Sequence, residues 1–393
     1  MRSAATSSRM ETDVMFKGLV SSRLAHLGLS TILSGSLLLA PVAGALGCTS
    51  MLLPAKDGGF IYGRTLEFGL DLRSQLIVIP RKLTFTGTGP QGRVGVGGIK
   101  WTTKYAATGA NALGLPVILD GFNEKGLAGG LFNFPGFAEF QTVPPGKEAQ
   151  SLASFELLTY ILTNFATVDE VKAAVPKIFV AGVKLPQFGN MVPPAHFSIH
   201  DASGKSIVIE YTNGGTLNIY DNPTHVLTNS PPMPFHLQNL AQYQYISAAV
   251  LPPLKVGNVE LAAASSGDGM NGLPGGFLAP ARFVRAYFAQ ANAPKLNTSN
   301  ETVGMAFHLM NGFDLPPGSI GTSAKAGGEG GGVDGFETTE WTSVSDLKNL
   351  RYYIKTYDNA DVRMIDLGKT DMNAEAIKMI DLDQKQVVKD LTP

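Results

Sequence analysis

The sequence predicts an α+β layered domain, on two observations. Its segments run strands, helices, strands, helices and strands with no regular strand–helix–strand alternation, and no repeat of fixed period appears anywhere in the 393 residues. Antiparallel sheets stacked face to face, with helices outside, accommodate that order.

Taken in order, "TSMLL", the turn "PAKDGG" and "FIYGRTLEF" read as a hairpin whose first strand starts directly after Cys48, and "SQLIVIPR" adds a strand. "WTTKYAATGANALG" and "PVILDGFNEKGLAGGLFNFP" continue as short alternating segments, with "NEKG" a turn. A helix follows over "SLASFELLTYILTNF", where Leu152, Phe155, Leu158, Ile161 and Leu162 fall at helix spacing. Thr167 with Glu170 makes a capping-box start for "VDEVKAAV". "AHFSIHDASGKSIVIEYTNGGTLNIYD" is a meander of three strands joined at "ASGKS" and "NGG". "PARFVRAYFAQA" and "ETVGMAFHLMNGF" read as helices, and "TTEWTSVSDLKNLRYYIKTYDNADVRMIDL" as closing strands. The glycine-rich piece "AGGEGGGVDG", 326–335, lacks the Lys-Ser/Thr of a phosphate-binding loop and reads as a plain loop.

Everything before Cys48 reads as an export signal. Arg2, Arg9, Lys17 and Arg23 give a basic start and "LGLSTILSGSLLLAPVAGAL" an apolar stretch. Ala45 and Gly47 set small residues at the −3 and −1 positions of a cut before Cys48. Glu11 and Asp13 sit oddly in such a leader and make Met15 an alternative start. Ser30, Ser34, Ser36 and Pro41 break the run, which argues against a membrane-spanning helix. The expectation is a signal over 1–47, removed, and a single domain over 48–393, exported to the periplasm or secreted. Lipidation of Cys48 is the other route, but Ala45 and Leu46 fit such a site poorly. The leader holds four of the 31 basic and two of the 32 acidic residues, so the remaining 346 residues carry a formal charge of −3. No basic field is present to hold nucleic acid or an anionic membrane.

Cys48 is the single cysteine, so no internal disulfide can form and the thiol is free for chemistry. A cysteine at a processed N-terminus carries its own base. The α-amine, with a reference pKa of about 7.7 to 8.0, can take the thiol proton and later deliver it to a leaving amine. His196, His200, His225, His236 and His308 show no metal-ligand spacing with carboxylates or cysteine; His196 and His200 flank "FSI" in a strand-like run and read as structural or surface residues.

The blocks "CTSMLLPAKDGGFIYGRTLEF", "FNEKGLAGGLFNFPGF", "THVLTNSP", "ARFVRAYF" and "TTEWTSVSDLKNLRYYIKTYDN" resemble, in order, those of the choloylglycine hydrolase family, the N-terminal-nucleophile hydrolases that include bile salt hydrolases and penicillin V acylases. The resemblance runs from residue 48 to about 367. It implies an αββα four-layer sandwich, usually tetrameric, that hydrolyses amides without metal or cofactor. It makes Cys48 the nucleophile, Arg64 the arginine beside it, Asn229 the oxyanion-hole amide, Arg282 the second active-site arginine, and Asn133 the substrate-side residue with its backbone N–H in the oxyanion hole. Where the family commonly has Asp three residues after the first arginine, holding the α-amine, this chain has Glu67, one methylene longer. Singly, Arg64 would be a surface strand residue, Asn229 a turn former before Pro231 and Arg282 an exposed helix position; five blocks in order behind an N-terminal cysteine give them a common meaning.

The expected function is hydrolysis of a small-molecule linear amide, foremost a conjugated bile salt, toward which Asn133 leans. A penicillin V acylase, also cleaving N-acyl homoserine lactones, is the alternative within the family. Outside enzymes, the alternative is a lipid-anchored periplasmic binding protein with Cys48 as its anchor.

Overall fold

A computed structural model describes residues 47–69, 71–321 and 336–392. The expected leader apart from Gly47, and the glycine-rich loop, lie outside the described residues. The chain opens with the hairpin β1 (Cys48–Pro54) and β2 (Phe60–Phe68), then β3 (Gln75–Ile79), a small hairpin β4 (Thr84–Thr88) with β5 (Gly97–Thr102), and β6 (Ala107–Ala110), β7 (Asp120–Asn123) and β8 (Ala128–Asn133). Next come β9 (Ser151–Ala153), α1 (Leu157–Asn164), α2 (Val168–Ala174) and β10 (Phe179–Ala181). The meander is β11 (Ala195–His200), β12 (Ser206–Thr212) and β13 (Thr216–Asp221). After it stand α3 (Met233–Leu240), the hairpin β14 (Leu254–Val256) and β15 (Val259–Leu261), α4 (Ala279–Asn292), α5 (Ser299–Asn311) and β16 (Ile320–Gly321). The chain closes through β17 (Phe336–Asp346), β18 (Arg351–Thr356), β19 (Asn359–Asp366) and β20 (Lys378–Asp381).

Two sheets result. One has the order β1-β2-β17-β18-β19, with β16 pairing β17; the other runs β13-β12-β11-β8-β7-β6-β3-β20. Helices α4 and α5 pack on β1, β2 and β17, and α1 packs on β7 and β8. The four layers are therefore helix, sheet, sheet, helix. Between the sheets Phe122, Phe132, Tyr352 and Ile354 interlock, with the Phe122 and Tyr352 rings 6.5 Å apart across the gap. The outer core of the larger sheet sets Phe197, Ile199, Ile207 and Ile209 against Leu158, Ile161 and Val171, the alternate-residue and helical stripes read in the sequence.

Three local features differ from expectation. The helix expected over 151–165 is cut short, because the Glu156 carboxylate accepts the N–H and the hydroxyl of Thr88 and the N–H of Ala153, so Ser151–Ala153 are captured as a strand beside β10. Helix α5 starts two residues before Glu301. There Thr298 Oγ1 accepts the Glu301 N–H and the Glu301 carboxylate accepts the Thr298 N–H, a full capping box. At α2 only half of the expected box forms: Thr167 accepts from the Glu170 N–H, while the Glu170 carboxylate takes the N–H of Ala166. Among the described residues no helix is long and apolar enough to cross a membrane.

The inter-sheet core bears on stability directly. Phe122→Ala, at a fully buried position on β7, is expected to cost about 3–5 kcal/mol in urea unfolding, the range for emptying a buried aromatic site.

Candidate active site

Cys48 is the first residue of β1 and lies across from Leu66 in the ladder to β2, so its side chain shares a face with Leu66 and Arg64. That face looks into the space between the sheets. Arg64 Nη2 donates to the Cys48 Sγ at 3.5 Å and to the Leu131 carbonyl at 2.6 Å, and Nη1 donates to the Leu119 carbonyl at 2.9 Å. The guanidinium thus crosses from one sheet to the other. It lies over the Phe132 ring at 4.3 Å and the Trp341 ring at 5.3 Å, and it pairs with Asp120 at 3.6 Å, with both side chains fully buried. Asp120 in turn accepts from the Ser343 hydroxyl at 2.6 Å and the Tyr352 hydroxyl at 2.9 Å. Gly130 makes this crossing possible: a β-carbon there would sit 2.8 Å from Arg64 Nη1 and 2.7 Å from the Tyr62 hydroxyl. Burial raises the Cys48 thiol pKa, and the Arg64 charge beside it pulls the other way. A thiolate formed here has a permanent counter-ion.

The Cys48 nitrogen points out of the free edge of β1, where Ser50 bridges Leu227 and Asn229 follows. The Cys48 N–H donates to Asn229 Oδ1 at 2.8 Å, and Arg282 Nη2 donates to the same oxygen at 2.8 Å. Arg282 Nη1 donates to the Cys48 carbonyl at 2.6 Å and to Thr49 Oγ1 at 2.9 Å, and Nε donates to the Phe277 carbonyl at 2.7 Å. Glu67 donates its own N–H to the Gly47 carbonyl at 2.7 Å, and its Oε1 accepts from the Thr339 hydroxyl at 3.3 Å. Burial pushes Glu67 up to about 8, against the pull of Arg282.

Asn229 is held by its backbone. His236 Nε2 donates to the Asn229 carbonyl at 2.8 Å and His196 Nε2 to the Thr228 carbonyl at 3.0 Å; a carbonyl only accepts, so each of these nitrogens carries the proton. His196 and His200 are both buried in β11, in keeping with a structural reading, and His196 also contacts Glu210 at 3.2 Å. The Asn229 amide differs from the simplest expectation. Its oxygen serves Cys48 and Arg282, and one Nδ2–H goes to the Asn133 carbonyl at 2.8 Å, so one of its two Nδ2–H groups is outside these bonds.

Asn133 ends β8 and lines, with Cys48 and Arg64, a cleft of about 640 Å³ including the part open to solvent. Its Nδ2 is buried without a partner among the described residues. The rest of the cleft wall is apolar, with Leu66, Phe68, Leu72, Leu115, Phe155 and Phe188. All six residues singled out in the sequence, Cys48, Arg64, Glu67, Asn133, Asn229 and Arg282, therefore meet within one site. Two charged members were missed. Asp120 hid in the strand "PVILDGF", where an acid amid apolar residues was the available signal, and Glu337 immediately precedes the quoted block "TTEWTS". Among the described residues no group of three or more His, Cys, Asp or Glu side chains is placed to hold a metal ion.

Residues 48–380 match the model of the family described as linear amide C–N hydrolases, choloylglycine hydrolase family. A bile salt hydrolase/transferase from Clostridium perfringens is 31% identical over 336 residues, covering 84% of this chain and 95% of that protein. A penicillin V acylase from Pectobacterium atrosepticum is 26% identical, covering 83% and 82%. The crystal structure of a conjugated bile acid hydrolase from Clostridium perfringens superposes with a TM-score of 0.74 at 30% identity, covering 88% of this chain and 100% of that one. Penicillin V acylase from Agrobacterium tumefaciens gives 0.66 at 25% identity, covering 85% and 91%.

The buried Arg64–Asp120 pair makes a measurable demand on stability. Asp120→Asn leaves the guanidinium without its counter-charge and is expected to cost about 3–5 kcal/mol, the range for breaking a buried pair from one side, read as a lower urea midpoint at unchanged slope.

Proposed function

The chain belongs to the choloylglycine hydrolase family of linear amide C–N hydrolases, and on that premise we propose that residues 1–47 are removed on export and that Cys48 becomes an N-terminal nucleophile cleaving conjugated bile salts. The carrying observation is the placement of Cys48, thiol on the cleft side beside Arg64 and nitrogen at the strand edge near Asn229, Arg282 and Glu67. The family match opening at residue 48 supports the same cut. Bile salts are named among the relatives of about 30% identity, which supports that substrate over others. Periplasmic or secreted location and assembly as a homotetramer are part of this reading.

In the proposed reaction the freed α-amine takes the Cys48 thiol proton, and the sulfur attacks the amide carbon. The carbonyl oxygen becomes an oxyanion that accepts the second Nδ2–H of Asn229 and a donor from Asn133. The C–N bond breaks as the ammonium returns its proton to the leaving amine, leaving a thioester. Water, deprotonated by the same amine, then releases the acid and restores the thiol. A second acyl class is favoured by one feature: Phe68 and Phe188, tilted against each other with ring centres 5.8 Å apart, form a joined aromatic wall of the cleft against which an aryl or straight acyl chain, as in penicillin V or an N-acyl homoserine lactone, would lie.

Mass spectrometry of the exported protein tests the premise: a free Cys48 N-terminus is expected, and a diacylglyceryl adduct would support the anchor reading. Rates on glycocholate, taurocholate, penicillin V and a long-chain acyl homoserine lactone are expected to be highest for the bile salts. Cys48→Ser should keep the fold and lose most turnover; normal rates from the uncut chain would sink the mechanism. Asn229→Ala should lower kcat by about 10²- to 10³-fold with a modest change in KM, because the lost donor acts on the transition state.

A further inference from the structure

The residues behind Cys48 are out of charge balance while Gly47 is attached. In the ladder from β2 to β17, Glu67 lies opposite Thr339, and Glu337 is two residues earlier on β17, so both glutamates project from the same face as diagonal neighbours. Both are buried, at 0% and 1% exposure. Among the described residues neither Glu337 oxygen has a hydrogen-bond partner, nor does Glu67 Oε2. The cation acting on both is Arg282, and its donors are spent on the carbonyls of Phe277 and Cys48, on Thr49 and on Asn229. Arg64 is committed on the other face, to Asp120 and the thiol. Burial therefore lifts Glu67 to about 8 and Glu337 to about 7, each opposed by Arg282.

Gly47 occupies the space these carboxylates border. A β-carbon on it would come 3.3 Å from Glu67 Oε2, and its N–H lies near enough to Glu337 to lower that acid's pKa, though short of a hydrogen bond. Removing residues through Gly47 vacates the space and replaces a neutral peptide nitrogen with an ammonium. Two buried carboxylates would then face two cations.

We propose that Glu337 is a positioning residue for the reaction, forming with Glu67 a two-carboxylate seat for the freed α-amine of Cys48 and setting that amine's proton affinity. The inference rests on the reading that Cys48 becomes N-terminal. Among the described residues the groups facing Glu337 are then Glu67 on β2, Arg282 on α4 and the Cys48 amine on β1. With its ammonium in place, Glu337 is stabilised as a carboxylate; without it, Glu337 is an ionisable group held in a dry site. The two states respond oppositely to loss of its charge.

The test uses Glu337→Gln and Glu337→Asp in the processed enzyme, with Cys48 at the N-terminus verified by mass spectrometry, and Glu337→Gln in the full uncut chain. In the processed enzyme Glu337→Gln is expected to move the acid limb of kcat/KM down by about one pH unit, because an ammonium that loses a nearby negative charge deprotonates more easily. Glu337→Asp, which keeps the charge, should hold the limb within half that shift. In the uncut chain the folded pKa of Glu337 is raised, so its stabilising contribution is present below 4.5 and lost as pH rises through about 7. There Glu337→Gln should raise Tm at pH 8, while in the processed enzyme the same change should lower it. An unmoved acid limb with Cys48 verified as N-terminal, or a lower Tm in both forms, would overturn the role of Glu337. A processed protein that does not begin at Cys48 would overturn the functional reading itself.

Discussion

A guanidinium cannot shed its charge, and the site depends on burying one completely between two sheets. The cost of taking Arg64 out of water is met by a set of partners that each restrict the fold. Asp120 must reach it from β7 and must itself be held by Ser343 and Tyr352 from the opposite sheet. The carbonyls of Leu119 and Leu131 must turn toward it, Phe132 and Trp341 must lie beneath and beside it, and position 130 must lack a side chain. The relative placement of the sheets is therefore tied to one side chain, with the thiol at its tip. Reactive sulfur and inter-sheet packing become parts of one constraint.

An edge strand lets a single cysteine face two environments. Its side chain enters the cleft with Leu66 and Arg64, while its nitrogen and carbonyl point out of the free edge of β1. Helix α4 reads that edge through Arg282, which binds the Cys48 carbonyl, the Thr49 hydroxyl and the Asn229 oxygen. Asn229 joins the two environments, its oxygen turned to the nitrogen of Cys48 and its Nδ2 toward Asn133 at the cleft. Beyond Arg64 and Asn133 the cleft wall is hydrocarbon, so discrimination among acyl groups falls to shape and apolar contact.

Much of this was legible in the chain. Alternating residues around "PAKDGG" and the single cysteine before them placed Cys48 at the start of a hairpin, and the block order brought Arg64, Glu67, Asn133, Asn229 and Arg282 into view. What stayed hidden was determined by contacts far away in sequence. Glu156 takes the Ala153 N–H of its own segment but also reaches out to bind Thr88, which turned the expected start of a helix into β9. Asp120 and Glu337 look like ordinary strand acids until the partners contributed by other strands are known. Which end of the Asn229 amide faces Cys48 is decided by Arg282 on a different helix.

One backbone irregularity then serves both faces of the site. In a regular ladder Thr339 and Trp341 would point the same way, but the bulge between them inserts Glu340, so Thr339 pairs with Glu67 and Trp341 with Leu66. Upstream of the bulge Thr339 faces Glu67 on the helix side; downstream, Trp341 and Ser343 reach Arg64 and Asp120 between the sheets. The extra residue is used as well. The Glu340 carboxylate accepts the Leu72 N–H through both oxygens at 3.2 Å, and the Leu72 carbonyl accepts the Leu113 N–H at 2.7 Å. Leu72 and Leu113 both border the cleft. An unbulged β17 would turn Thr339 away from Glu67 or Trp341 away from Arg64, and would leave that wall of the cleft without its anchor. The irregular strand is thus what lets the carboxylates near the nitrogen and the cation at the thiol coexist on opposite faces of one sheet.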